Sequence, residues 1–404
     1  MKRDYEAKGN SLRILMLGLN QVGQGSYHRM WGFSQRLAKR GHQVTVMAVA
    51  PKARLCLRVE GSDGLRLVET PDLLPGMLRS GWDLWDVLRR SLWLRSQEFD
   101  IVHAIESRPV VLLPALYAQR RGAALIMDWC DWFGKGGAVE ERPGWLLRTM
   151  LRPVETYLEE HFRARAEGTV TINAFLGERA AALGVRPETL VVIRGGCDPD
   201  ILPADRLESR RAVGLPLDAP LIGYAGHIYG RDAAFMADAL NCLRRTSPAA
   251  RLVLAGYFNR AIEPLLDDPS AVIRTGPLPS LDQVYRYLSA CDLCWLPLRD
   301  SGANRGRWPS KLNDYMVLAR PVVATAVGDL ARVVPDYGIG LLAEEDSEQF
   351  AAQTALLLHD RERAEAMGRA ARRAAEGVFS WERRTDELEA FYRRILEASQ
   401  GRKM

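Results

Sequence analysis

The sequence predicts an α/β chain of two tandem, doubly wound parallel-sheet units. Short apolar runs alternate with amphipathic helical stretches along most of the 404 residues. That alternation restarts after a polar, proline-bearing segment at 198–211, DPDILPADRLESRR. Late in the chain, residues 305–325 (RGRWPSKLNDYMVLARPVVAT) join a helix directly to a buried strand, as half of an α/β repeat does.

In the first half, residues 12–17, 44–49, 100–104, 124–127, 168–172 and 190–193 read as strands. Their apolar runs are nearly continuous, as expected of parallel strands covered on both faces. A glycine-bearing loop follows the first strand at 18–25 (GLNQVGQG), and a helix over 27–40 ends at Gly41. The second half offers strands at 221–225, 251–255, 272–275, 293–296 and 321–325. The tail from 381 to 398 reads as an amphipathic helix with Leu388, Phe391, Tyr392 and Leu396 on one side. The expected division is 1–200, 201–379 and a terminal helix over 380–404.

Within 305–325, Pro309 and Ser310 supply a helix start, and Leu312, Tyr315, Met316 and Ala319 form an apolar face. Lys311 and Asp314, three apart, share the other face. A cation and a carboxylate beside a helix start could hold a phosphate and a ribose diol. A dipole-favoured acid with a weak surface ion pair is the plainer alternative.

These residues resemble the retaining glycosyltransferases of the GT-B fold, family 4. Pro309-Ser310-Lys311-Leu312-Asn313-Asp314-Tyr315-Met316, followed by Arg320-Pro321-Val322-Val323, is similar to that family's P-S-K-L-x-E-Y-M…P-V-V segment. The resemblance spans nearly the whole chain and implies two Rossmann-like domains facing a central cleft, with the last helix crossing back to the first. It implies that Asp314 binds the donor ribose and that Ser310 belongs to the donor site. Asp314 stands where Glu is usual, and Gly306 stands where the family commonly has a Glu near the donor sugar. Gly23 and Gly25 match the family's glycine loop under the donor phosphates, and Gly41-His42-Gln43-Val44-Thr45-Val46 matches the next strand. In LIGYAGHIYGRDAAF, the resemblance makes Gly226, His227 and Arg231 the diphosphate site, with Arg231 and Lys311 the two cations for the leaving group. A solvent-facing arginine is the alternative for Arg231. Tyr257, Phe258 and Leu278 resemble loops around the base.

Ligands of open α/β sheets bind beyond the carboxyl ends of strands, where His103 with Glu106 and Asp128 with Asp131 fall. Asp128 occupies the place of a family histidine that contacts the donor sugar. Two acids bracketing Trp129 suggest acceptors for sugar hydroxyls beside an aromatic surface, or else loop-closing aspartates. His28, on the helix after the loop, either approaches the cleft or faces solvent. Spacing argues against nicotinamide binding: G-x4-G-x-G departs from G-x-G-x-x-G, and the second strand ends in Ala50-Pro51 without a ribose-binding acid.

Composition is 47% hydrophobic and 26% charged, with 55 Lys and Arg against 50 Asp and Glu. The balance of +5 is too small to argue for nucleic acid, though it suits anionic ligands or an anionic membrane face. No apolar run is long enough to span a bilayer, and the start MKRDYEAKGN leads into a strand, so a cytoplasmic protein is expected, on the inner face of the membrane if peripheral. Six cysteines lack a framework spacing, and the single C-x-x-C, Cys291 and Cys294, reads as buried strand. The tryptophan- and arginine-rich stretch at 75–97 and the cluster PGWLLRTMLRPVETYL fit either an interfacial helix on an anionic membrane or a core helix.

The expected activity is transfer of a sugar from a nucleotide-diphosphate sugar to a hydroxyl of a glycan or lipid-linked acceptor, in cell-surface glycan or glycolipid synthesis. Retention of configuration without cofactor or metal is implied by the resemblance, and no D-x-D motif is positioned for a metal. A catalytically degenerate nucleotide-sugar binder and a GT-B sugar-nucleotide epimerase remain open.

Overall fold

The computed structural model describes residues 11–401, apart from 53, 63, 74–80, 227, 229 and 259–260. The chain divides into two units. The first comprises Met1–Gly195, Gly306–Trp308 and Trp381–Met404, and the second Gly196–Arg305 with Pro309–Ser380.

Among the described residues, eight strands form the sheet of the first unit: β1 (Arg13–Gln21), β2 (Gln43–Val49), β3 (Arg58–Ser62), β4 (Leu65–Thr70), β5 (Ile101–Ile105), β6 (Ala124–Trp129), β7 (Gly168–Thr171) and β8 (Leu190–Val192). Their order is β3-β4-β2-β1-β5-β6-β7-β8. All pairings are parallel except β3 with β4. The sequence reading had neither β3 nor β4. RVEGS and LRLVET mix polar and apolar residues at the sheet edge, so they lack the continuous apolar run that betrays a central strand. The glycine loop is also shorter than read, because β1 continues through Gly18 to Gln21. Gly18 allows that strand to run close under the helix Tyr27–Lys39, where a Cβ would come 2.9 Å from Met30 Cε.

The second unit carries β9 (Leu221–Ala225), β10 (Arg251–Ala255), β11 (Val272–Arg274), β12 (Leu293–Leu296), β13 (Val322–Thr325) and β14 (Gly340–Ala343). The order β11-β10-β9-β12-β13-β14 is, counted within the unit, the 3-2-1-4-5-6 of a doubly wound dinucleotide-type sheet, parallel throughout. Only β14 escaped the sequence reading, being four residues in a glycine-flanked segment. Trp295, Phe350 and Phe235 anchor the core, and each such side chain contributes a few kcal/mol on burial, about 1.5–3 for a Phe. Cys291 and Cys294 are free thiols in this interior, and a Cβ on Gly223 would lie 3.1 Å from both sulfurs.

The last helix, Trp381–Gly401, belongs to the first unit. Its buried face is Leu388, Phe391, Tyr392 and Ile395, the 0, 3, 4, 7 spacing of a helical stripe, with Ile395 in the place the sequence reading gave to Leu396. Two glycines admit the helix: a Cβ on Gly32 would fall 2.6 Å from the Trp381 indole, and one on Gly168 2.7 Å from Phe391. Among the described residues, no helix is long and apolar enough to cross a membrane.

Candidate functional site

In the second unit the strand order reverses between β9 and β12, so the carboxyl end of β9 marks the crevice where such sheets bind ligands. Gly226 follows β9 at φ +82°, a conformation that favours glycine, and its Cβ position lies 3.0 Å from Lys311 Cε. Lys311 opens the helix Lys311–Val317 and donates from Nζ to Tyr224 Oη at 2.7 Å, so the cation is held at the end of β9. Ser310 is exposed at the helix start without making a side-chain cap. The helix is only seven residues long, so Lys311 rather than the backbone dipole dominates the positive field.

One turn on, Asp314 is half-buried and accepts from Tyr285 Oη at 3.0 Å. Burial pushes its carboxyl up to about 6, although Tyr285 and the Lys311 charge pull the other way. The same environment raises the Tyr285 hydroxyl, which therefore stays a donor. Lys311 and Asp314 thus lie one turn apart on the same helix, and each is positioned by a tyrosine from another element. Tyr224 and Tyr285 were missed because nothing in their own sequence neighbourhoods marks them; only the fold brings them to the turn. His227 lies outside the described residues. Arg231 is in the helix Gly230–Thr246, and its side chain is outside the described set. Tyr257 is exposed and Phe258 buried.

The first unit holds a different arrangement. Asp128, at the end of β6, is fully buried and accepts from Arg29 Nε at 2.7 Å and Nη2 at 3.3 Å. His103 Nε2 lies 3.1 Å from the same carboxylate, and His103 Nδ1 is 2.7 Å from Tyr392 Oη. Arg29 also donates to the carbonyls of Ile193 and Arg194. Burial alone would raise the Asp128 carboxyl, but Arg29 and His103 outweigh it and hold it at about 2. The chain Tyr392–His103–Asp128–Arg29 therefore ties β5, β6, the segment after β8, the helix Tyr27–Lys39 and the terminal helix together.

This corrects the expectation that Asp128 and His103 meet a sugar. Both are enclosed, and their polar atoms already face one another. Trp129 is likewise no aromatic surface: it is fully buried, with the Arg163 guanidinium 4.0 Å above its ring. Arg29 carried a readable signal, since 29, 33 and 37 lie on one helix face with Phe33 and Leu37 in the core. An arginine on that face requires a buried acid.

Glu106 is also buried, at φ +72°, a conformation costly for a non-glycine residue. Its Oε1 accepts from the backbone N–H of Cys130 and of Asp131 at 3.1 and 2.9 Å, closing the loop after β6. Burial, with Asp131 nearby, raises its carboxyl well above the usual range. It positions the loop and is shielded from solvent. Asp131 is half-buried, pushed up to about 6 by burial against the opposing charges of Arg307 and Arg108. Its partial exposure sets it apart from the enclosed Asp128 and Glu106. His28 is exposed on its helix, and Gly23 and Gly25, both at positive φ, turn the chain after β1 in a loop tied by Ser26 N–H to Asn20 Oδ1 at 3.1 Å.

Comparison with known proteins agrees with both halves. Residues 25–201 match Glycosyltransferase Family 4, and residues 219–360 match Glycosyl transferases group 1. D-inositol 3-phosphate glycosyltransferase 1 of Catenulispora acidiphila is 26% identical over 399 residues, covering 91% of this chain and 90% of that protein. Sucrose-phosphate synthase from Thermosynechococcus elongatus shares the fold at a TM-score of 0.73 and 16% identity, covering 96% of this chain and 100% of the other. Anabaena Alr3699/HepE, solved in complex with UDP, does so at 0.67 and 15%, covering 94% and 99%. With the two sheets, their strand order and these matches, the chain belongs to the GT-B glycosyltransferases of the group 1, family 4 type.

Proposed function

We propose that the protein transfers a sugar from a nucleoside-diphosphate sugar to an acceptor hydroxyl with retention of anomeric configuration. The observation that carries this reading is the turn at the end of β9, where Gly226, the tyrosine-held Lys311 and Asp314 converge. The diphosphate meets the Lys311 ammonium and the backbone at Gly226, where the absence of a Cβ lets an anion approach closely. The ribose diol donates to Asp314. Binding of UDP by a neighbour of the same fold supports a nucleotide at this turn.

In the transfer, the bond from the anomeric carbon to the diphosphate oxygen breaks and a bond to the acceptor oxygen forms on the same face. The acceptor proton passes to the leaving diphosphate. Charge builds on that diphosphate, so Lys311 and Arg231 lower the barrier by stabilising it, without a metal ion. Asp131 is the acceptor-side hydrogen-bonding group. The acceptor is a glycan or lipid-linked hydroxyl of a cell-surface precursor, and the name of the Catenulispora relative adds an inositol phosphate to the panel.

The test is release of nucleoside diphosphate by the purified chain across donors and acceptors, with the anomeric configuration of the product read by NMR. Acceptor-dependent release, reduced at least about tenfold in Arg231→Ala and in Asp314→Ala, is expected. Donor conversion without acceptor would assign an epimerase instead. Nucleotide binding with no turnover on any acceptor would assign a binding protein.

A further inference from the structure

We propose that the first unit docks on an anionic lipid bilayer through the outward apolar stripes of two helices. A helix on a wet surface normally turns its apolar stripe to the core and its charges to solvent. The helix Trp145–Glu160 carries apolar residues on both sides: half-buried Leu147, Leu151 and Leu158 share the inward side with the buried Glu155 and Glu159, and a second apolar stripe faces out. Glu155 is paired with Arg108 and Arg142, at 3.1 and 2.5 Å. Glu159 accepts from Trp129 Nε1 and from the backbone N–H groups of Phe133 and Gly134. Outward stand Trp145, Leu146, Met150, Val154 and Tyr157, between 43% and 71% exposed. The steps 146, 150, 154 and 157 form one continuous stripe, and residues 145 to 157 span about 18 Å.

The helix Leu84–Leu94, although Val87, Trp93 and Leu94 pack on the core, also carries an outward apolar stripe. Its buried face is Asp86, Arg90 and Leu94, with Arg90 Nε 2.8 Å from Asp86 Oδ1, while Leu84, Trp85, Leu88 and Leu92 are 37% to 71% exposed.

Charge decides what meets these stripes. A groove of about 910 Å³ runs beside the helix Trp145–Glu160, lined by Lys135, Arg152, Tyr157, His161 and Arg165. The carboxylate in that lining, Glu160, is paired with Arg179, and Arg152 with Glu140, so the positive charge offered to a surface rests on Lys135 and Arg165. A second copy of this chain would set like charges against each other. An anionic bilayer takes tryptophan and aliphatic side chains below the headgroups while lysine and arginine meet lipid phosphates. The inference extends the transfer reading by bringing the enzyme to a lipid-borne acceptor, but vesicle binding is measured without donor, so either can fail alone.

The experiment is co-sedimentation of the full chain with phosphatidylcholine vesicles, with and without phosphatidylglycerol, at low and high salt. Binding is expected with phosphatidylglycerol and weakened by salt. The double variant Met150→Gln, Val154→Gln, at exposed positions, keeps its melting temperature and loses vesicle binding by at least about tenfold. Lys135→Gln with Arg165→Gln lowers binding to anionic vesicles by roughly tenfold or more and removes its salt dependence. Wild-type protein that stays in the supernatant with every vesicle, or double variants that bind undiminished, would overturn the proposal. So would a concentration-dependent dimer in sedimentation velocity that Met150→Gln, Val154→Gln abolishes, which would assign the stripe to a second copy.

Discussion

Asp128→Asn is expected to act on the stability of the first unit before it acts on turnover. The carboxylate receives two N–H groups of Arg29 and faces His103, and all three residues are enclosed. The amide keeps the size but removes the charge, leaving a buried guanidinium uncompensated. Removing one partner of such a pair costs about 3–5 kcal/mol. For a unit of this size each kcal/mol is worth about 2–4 °C, so its melting transition should fall by roughly 6–20 °C. Tyr392→Phe, which removes one hydrogen bond to His103, should cost only about 1 kcal/mol. Acid dependence gives an independent check. The folded carboxyl sits at about 2 against an ordinary 3.8, which corresponds to about 2 kcal/mol. A lowered carboxylate contributes its full stability above pH 4 and loses it as pH falls towards 2, and the variant should lack that component. The assay is differential scanning calorimetry with each transition resolved, because the two units can melt separately. A variant that melts within about 2 °C of wild type yet has lost turnover would refute the reasoning and return Asp128 to the substrate.

Three further outcomes follow from the second unit. Gly226→Ala strains a residue at φ +82° and sets its Cβ against Lys311 Cε, so nucleotide affinity should fall about tenfold or more, by calorimetric titration, with a stability loss of only about 1–2 kcal/mol. Asp314 sits at about 6, so its acceptor form is depleted below that pH and nucleotide affinity should weaken about tenfold between pH 7 and 5; a flat profile would remove Asp314 from the ribose. On stability this raised carboxyl acts in the opposite sense to Asp128: the second unit should become less stable as pH climbs from about 4 to 6, read from its melting transition.

The strands that the sequence revealed are those buried on both faces, such as β9 (LIGYA) and β12 (LCWL), because their apolar runs are continuous. β3 and β4 lie at and next to the edge, where polar residues alternate with apolar ones, and the local signal they carry is the Asp63-Gly64 dipeptide of a two-residue hairpin rather than an apolar run. Lys311 and Asp314 were legible because helical spacing puts them on one face. Their tyrosine partners arrive through sheet register and a separate helix, which spacing cannot report. Asp128 misled for a related reason: the carboxyl end of a strand is where ligands bind, but whether a side chain there faces solvent depends on what covers it. Here the cover is Arg29, His103 and a terminal helix from the far end of the chain. Tryptophan and arginine content singled out the segments that hold the helices Leu84–Leu94 and Trp145–Glu160 without telling which side faced inward, because composition is the same for a core helix and an interfacial one.

The most direct test of the donor site is calorimetric titration of the full chain with UDP, GDP, ADP, CMP and dTDP, each with Mg²⁺ and with EDTA, alongside Lys311→Met. One nucleoside diphosphate should bind selectively and equally well in EDTA, and at about 100 times its Kd it should stabilise the second unit by roughly 2.7 kcal/mol. In Lys311→Met that affinity should fall at least about tenfold while the fold is retained. Undiminished binding in Lys311→Met, or binding that vanishes in EDTA, would contradict a metal-free diphosphate site at the end of β9.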